Sequence, residues 1–93
     1  MGTLDFGIIL KLAKSKHTSK KLLVFLSKDK DYIVRYYVAS NPNTPIKVLE
    51  ELSKDENWSV RYYVAKNSNA PIKILEKLSK YDVASNPNTP LFL

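Results

Sequence analysis

The side chains able to do acid–base, nucleophilic or metal chemistry are few in this sequence, and none is spaced for it. One histidine, His17, stands in the lysine-rich stretch KSKHTSKK. A metal site needs several ligands at set spacings, and the chain has no second histidine and no cysteine. His17 therefore reads as an exposed loop residue. The carboxylates Glu50 and Glu51, and likewise Asp55 and Glu56, are immediate neighbours. Neighbours on a helix point apart, so Glu50 and Glu51 read as a solvated helix face. Asp29, Lys30 and Asp31 lack the glycine and the downstream glutamate of a calcium loop. Hydroxyls are plentiful, but none stands beside a base in a nucleophile–base motif. Two glycines do not make a phosphate-cradling loop. The expectation is a non-enzymatic protein without metal or cofactor.

Residues suited to binding are better organised. Arg35 and Tyr36 recur as Arg61 and Tyr62, a spacing of 26 residues. Tyr37 recurs as Tyr63, and Lys21, Lys47 and Lys73 share the same period. Tyrosine and arginine are enriched at interface hot spots, because they bury much area at modest entropic cost. Arg35, Tyr36, Arg61, Tyr62, Lys47 and Lys73 are therefore the candidate partner-binding residues. Of each tyrosine pair, Tyr37 and Tyr63 are expected in the core, with Tyr36 and Tyr62 exposed. Tyr32 and Trp58 share a position and are expected to pack over a turn.

The spacing comes from an internal repeat. Residues 27–52 and 53–78 align without gaps and are identical at 17 of 26 positions. The register extends backwards: Ile8 and Leu12 fall on Val34 and Val38, and Ala13 falls on Ala39 and Ala65. Residues 1–26 are thus a diverged first repeat. Forwards, residues 83–90 repeat residues 38–45 letter for letter, but seven residues earlier than the period requires. Residues 79–93 read as a truncated capping repeat of a single domain spanning 1–93.

Each repeat predicts two short helical segments and no strand. Val34, Val38 and Ala39 share one face of the first. In the second, Thr44 suits an N-cap and Pro45 the first helical position. Ile46, Leu49 and Leu52 follow at helical spacing as an apolar stripe, with Val48 flanking it. The third repeat has Ala70 at the cap position, which should weaken that helix end by about 1 kcal/mol. Asn41 and Asn67 suit a left-handed end to the first segment. One unit of 26 residues cannot bury its stripe alone, so the units are expected to stack around one core as a solenoid.

The stretch VRYYVASNPNTPIKVLEEL resembles the leucine-rich repeat variant family, whose unit has the form V-R-x-x-V-A-x-N/H-P-N-T-P-x-x-x-L-x-x-L. The likeness runs from about residue 8 to the end and is most specific over 34–52 and 60–78. It implies an all-α, right-handed solenoid in which each unit pairs a short 3₁₀-like helix with an α-helix. The 3₁₀ parts would be residues 34–39 and 60–65, and the α parts 45–54 and 71–80. Tyr37 and Tyr63 depart from the small residue common there. A family member linked to nitrogen fixation carries an iron–sulfur cluster on cysteines, which this chain lacks. The family implies a fold and no shared activity.

Charge and the ends of the stack suggest two rival roles. The net charge is +6, with five lysines, Lys11, Lys14, Lys16, Lys20 and Lys21, clustered in the first repeat. Such a cluster suits a phosphate backbone, which makes nucleic-acid binding the alternative to a protein partner. The first repeat is also the more apolar one. Ile9 and Leu10 stand where Arg35 and Tyr36 do, and Val24 and Phe25 stand where Glu50 and Glu51 do. Either Leu4 and Phe6 fold over these groups or the face meets another molecule, as it would in homo-oligomeric self-assembly through the ends. At the other end, Leu91, Phe92 and Leu93 are expected to tuck back as a lid or to meet a second copy. No apolar run approaches a membrane span, and the first residues do not form a signal peptide, so a cytoplasmic protein is expected.

Overall fold

The structure is a computed structural model that describes residues 5–78. These residues form six short α-helices: α1 (Phe6–Lys14), α2 (Lys20–Leu26), α3 (Tyr32–Ser40), α4 (Ile46–Leu52), α5 (Trp58–Lys66) and α6 (Ile72–Lys77). No strand occurs among the described residues. The expectations for Leu4, for the truncated repeat at 79–93 and for the terminal Leu91, Phe92 and Leu93 lie outside them.

The odd-numbered helices begin on a side-chain cap. Asp5 accepts a hydrogen bond from the Gly7 N–H, Asp31 from Ile33, and Asn57 from Ser59. Each cap satisfies one orphan donor of the first turn. This anchoring corrects the 3₁₀-like expectation. Both α3 and α5 are nine-residue α-helices, with i→i−3 bonds such as Asn41 N–H to Val38 O at their ends. Asn41 and Asn67 end these helices in extended backbone, with φ of −73° and −69°, rather than in the left-handed region.

The even-numbered helices correct two further expectations. Thr44 does not cap α4. Its hydroxyl donates to Val38 O at 2.6 Å, tying the turn back to the end of α3. Pro45 is the extended residue before the helix, and its carbonyl accepts from the Val48 and Leu49 N–H groups. The apolar stripe is also rotated. Val48, Leu49 and Leu52 are buried, while Ile46 is 52% exposed. Residues 48, 49 and 52 share one helical face, and Ile46 falls on its solvent side.

The core follows the repeat. Val34, Val38 and Ala39 of α3, and Val60, Val64 and Ala65 of α5, are wholly inaccessible, as are Leu23, Leu49 and Leu75 of the even helices. Helix α3 packs against both α1 and α5. Two asparagines stitch these layers together. The Asn41 side-chain amide donates to Ala13 O and Ser15 O, both at 2.8 Å. One repeat later, the Asn67 amide donates to Ala39 O at 2.8 Å and Asn41 O at 3.1 Å. Each asparagine oxygen accepts the N–H two residues on, from Asn43 or Asn69.

The first repeat presents apolar surface. Ile9 and Leu10 are partly buried against the core, but Phe25 is 73% exposed. Phe6 is itself exposed, so it does not fold over Phe25. Ile8 is 48% exposed, although its register mates Val34 and Val60 are fully buried.

Candidate functional site

Five aromatic side chains meet on one face of α3 and α5. Tyr32 and Tyr36 are four residues apart on α3, and Trp58 and Tyr62 are four apart on α5, so each pair shares a helix face. Their ring centroids lie 6.1 and 6.2 Å apart respectively. Tyr63 closes the gap between the helices. It stacks on Tyr36 at 4.9 Å with an 18° interplanar angle, and meets Tyr62 edge-on at 5.4 Å. Together with Asn57 and Ser59, these rings line an open groove of about 280 Å³. The Asn57 oxygen is held by the N–H and hydroxyl of Ser59, which fixes the groove's polar corner.

This arrangement differs from the expected tyrosine ladder. Tyr36 and Tyr62 are both half-buried rather than exposed, and Tyr36 is wedged between Tyr37, 4.5 Å away, and Tyr63. The contact is diagonal, Tyr36 of α3 on Tyr63 of α5, rather than between register mates. Tyr37 and Tyr63 are only partly buried, packed against the edge of the core. Hydrogen bonding to the Tyr37 side chain, and then burial, push the Tyr36 phenol up to about 12. Tyr32 and Trp58 do not pack over a turn. They open the helices and face solvent, Trp58 being 62% exposed. Their signal in the sequence is the i, i+4 spacing to Tyr36 and Tyr62, combined with the shared period.

Two lysines lie over tyrosine rings: Lys14 over Tyr37 at 5.1 Å and Lys66 over Tyr62 at 5.3 Å. Both distances suit cation–π attraction.

Arg35 is committed within the fold. Its Nε donates to Asp55 Oδ2 at 2.8 Å and a terminal nitrogen donates to Asp55 Oδ1 at 3.2 Å. Its other terminal nitrogen donates to Asp29 O and Lys30 O. The side chains of the pair are only 14% and 9% exposed. The bond to Asp55 raises the Arg35 pKa above its already high ordinary value. Arg61 repeats the backbone part, donating to Asp55 O at 2.7 Å and Glu56 O at 3.2 Å. Both arginines brace the loop before their own helix, and Arg35 also reaches Asp55 in the loop before α5, where the sequence suggests contact residues.

The lysines are on the surface. Lys47 and Lys73 are exposed, and Lys73 lines a second cleft of about 210 Å³ with Lys54, Lys77, Glu50 and Ser53. Lys11, Lys14, Lys16, Lys20 and Lys21 are all exposed, with the Lys20 ammonium donating to Asn43 Oδ1 at 2.6 Å. His17 is exposed in the turn between α1 and α2. Among the described residues, no three His, Cys, Asp or Glu side chains gather as a metal site, and no helix is long and apolar enough to cross a membrane. No family model, curated protein or solved structure matches the chain.

Proposed function

We propose that the protein is a non-enzymatic, cytoplasmic helical-repeat module, a short right-handed solenoid of the leucine-rich repeat variant type, that holds a protein partner. The carrying observation is the aromatic groove across α3 and α5, where five rings meet at a solvent-open surface. Such rings offer large rigid area with hydroxyl and indole donors at the rim, which suits an extended polypeptide segment. Tyr36 and Tyr62 remain contact residues, joined by Tyr32, Trp58 and Tyr63. Arg35 and Arg61 are bonded to the loops before α3 and α5 and do not line the groove. Lys47 and Lys73 contribute charge at a distance from it.

The test is selection of peptides from a displayed random library on the wild-type protein, with rebinding to a Trp58→Ala/Tyr62→Ala variant. Both side chains lie outside the core, so the variant should keep its helical circular dichroism. Loss of at least about tenfold in affinity for the selected peptides is expected, since each ring is a hot-spot type. Peptides that bind both proteins equally would place the contact surface elsewhere.

A second reading, nucleic-acid binding through Lys11, Lys14, Lys16, Lys20 and Lys21, is favoured by the exposure of all five. Anisotropy of labelled single- and double-stranded nucleic acid at roughly 50 and 200 mM salt separates the two. Micromolar binding that collapses at the higher salt would support this reading. No binding at the lower salt would end it.

A further inference from the structure

The charge of this chain is concentrated in its first repeat. Residues 6–28 hold Lys11, Lys14, Lys16, Lys20, Lys21 and Lys28 and no acid, a local charge of +6. Residues 29–78 hold eight basic and seven acidic side chains, net +1. All six lysines of the first stretch are exposed. The nearest acids in sequence, Asp5 and Asp29, stand at its two borders, and their carboxylates accept from the Gly7 and Asp31 N–H groups. Counting both still leaves +4 over residues 5–29.

Helix α2 sets part of this stretch on one face. Leu23 and Leu26 are buried, and Lys21, Val24 and Phe25 follow the i, i+3, i+4 spacing of the opposite side. The turn runs on past Leu26, where the Lys28 N–H bonds to Phe25 O at 3.2 Å, so Lys28 extends the same face. Lys20 stands beside it, its ammonium bonded to the neutral Asn43 amide and so still charged. Val24 is 37% and Phe25 73% exposed, and Phe25 is the barest large apolar side chain among the described residues. Two apolar groups thus stand in water between lysines. At the same register in the second repeat, Lys47 and Lys54 flank Glu50 and Glu51, the ordinary charge pattern of a solvated helix.

The partner that fits is anionic and takes up apolar side chains as well. A second copy presenting the same face is repelled. A nucleic-acid duplex offers phosphates alone, and a single strand offers a base to Phe25 but nothing to Val24. A ring as bare as Phe25 projects with no wall around it, so the partner surface must yield to it. The headgroup region of a bilayer does so without a shaped socket, and its anionic lipids hold the lysines. We infer that the outer face of α2 docks the protein on an anionic lipid surface, with Phe25 and Val24 entering the boundary between headgroups and acyl chains and Lys20, Lys21 and Lys28 on the headgroups. The docking is peripheral, since no helix among the described residues is long and apolar enough to cross a membrane. This surface is separate from the aromatic groove and does not depend on it.

The test is co-sedimentation of the full chain with vesicles of phosphatidylcholine alone and with roughly 30% phosphatidylserine, at low salt. Binding to the anionic vesicles should exceed binding to the neutral ones by about tenfold or more, and should weaken as salt shortens the reach of the lysines. Phe25→Gln keeps the charge and should weaken the binding by about fivefold, the share of the inserted ring. Lys21→Gln and Lys28→Gln should each weaken it by about three- to fivefold. All three side chains are exposed, and circular dichroism checks that the variants fold. Absence of binding to anionic vesicles would overturn the proposal, and so would equal binding to neutral ones. Full binding by Phe25→Gln would overturn the assigned face. A single-stranded oligonucleotide that binds more tightly than the vesicles and is weakened by Phe25→Gln would give the face to nucleic acid instead.

Discussion

Asn41 and Asn67 do for this chain what a backbone ladder does for a sheet. Each side-chain amide reaches across to two carbonyls of the preceding repeat, while its oxygen holds the turn that follows. Both asparagines are buried, so the carbonyls they serve have little water to turn to. Replacing Asn41 by alanine should cost about 2–3 kcal/mol in chemical denaturation, the range for stranding buried acceptors. Asn41→Asp should be worse, since it sets a carboxylate against two carbonyl oxygens. A second prediction concerns Tyr36. Its phenol titrates near 12 in the folded protein, against about 10 for an unfolded tyrosine. The folded state therefore holds this proton more tightly. The resulting stability is complete below pH 10 and is lost as pH rises from about 10 towards 12. Thermal unfolding followed across that window should show a decline that Tyr36→Phe reduces. An unchanged decline in Tyr36→Phe would assign it to other groups.

At the scale of elements, the turn between paired helices is one of the places where repeats two and three differ. In repeat two the Thr44 hydroxyl bonds to Val38 O, and Thr18 makes the same bond to Leu12 O in repeat one. Repeat three has Ala70 instead, buried in the same position. Ala70→Thr should place a hydroxyl against Val64 O and stabilise the protein by about 0.5–1.5 kcal/mol, one net hydrogen bond. A lower melting temperature would show that the pocket around Ala70 is too tight for the extra atoms. Helix positions and most of the core were legible in the sequence, because the 26-residue period carries Val34, Val38, Ala39, Leu49 and Leu52 onto their buried mates. Ile46 was misplaced because residues 46, 49 and 52 are as apolar as 48, 49 and 52, and spacing alone does not choose between them. The role of Thr44 was hidden because a cap and a bond back to the preceding helix call for the same residue. The groove was half legible. The period pairs Tyr36 with Tyr62, but the contact of Tyr36 with Tyr63 is a property of packing. Arg35 looked like a surface rung because its partner, Asp55, lies twenty residues on and meets it only when the loop folds back.

At the scale of the whole molecule, stacking one repeat on another takes two ingredients, an apolar face and an asparagine amide. The first repeat has one without the other. Ile8 is exposed where its mates Val34 and Val60 are buried, yet Ser15 stands at the register of Asn41 and Asn67, where it has no amide to extend. A second copy meeting this face would gain apolar burial at about 25 cal/mol per Å² but none of the stitching bonds seen inside the chain. The expected result is weak self-association. Light scattering should give the monomer mass in dilute solution and a rising mean mass at high concentration. Ile8→Glu sets a charge on this face and should flatten that rise while leaving the melting temperature within about 0.5 kcal/mol equivalent, as expected of an exposed site. A wild-type mass that stays flat would mean that the apolar face is tolerated in water on its own, and would remove end-to-end assembly as a role for this protein.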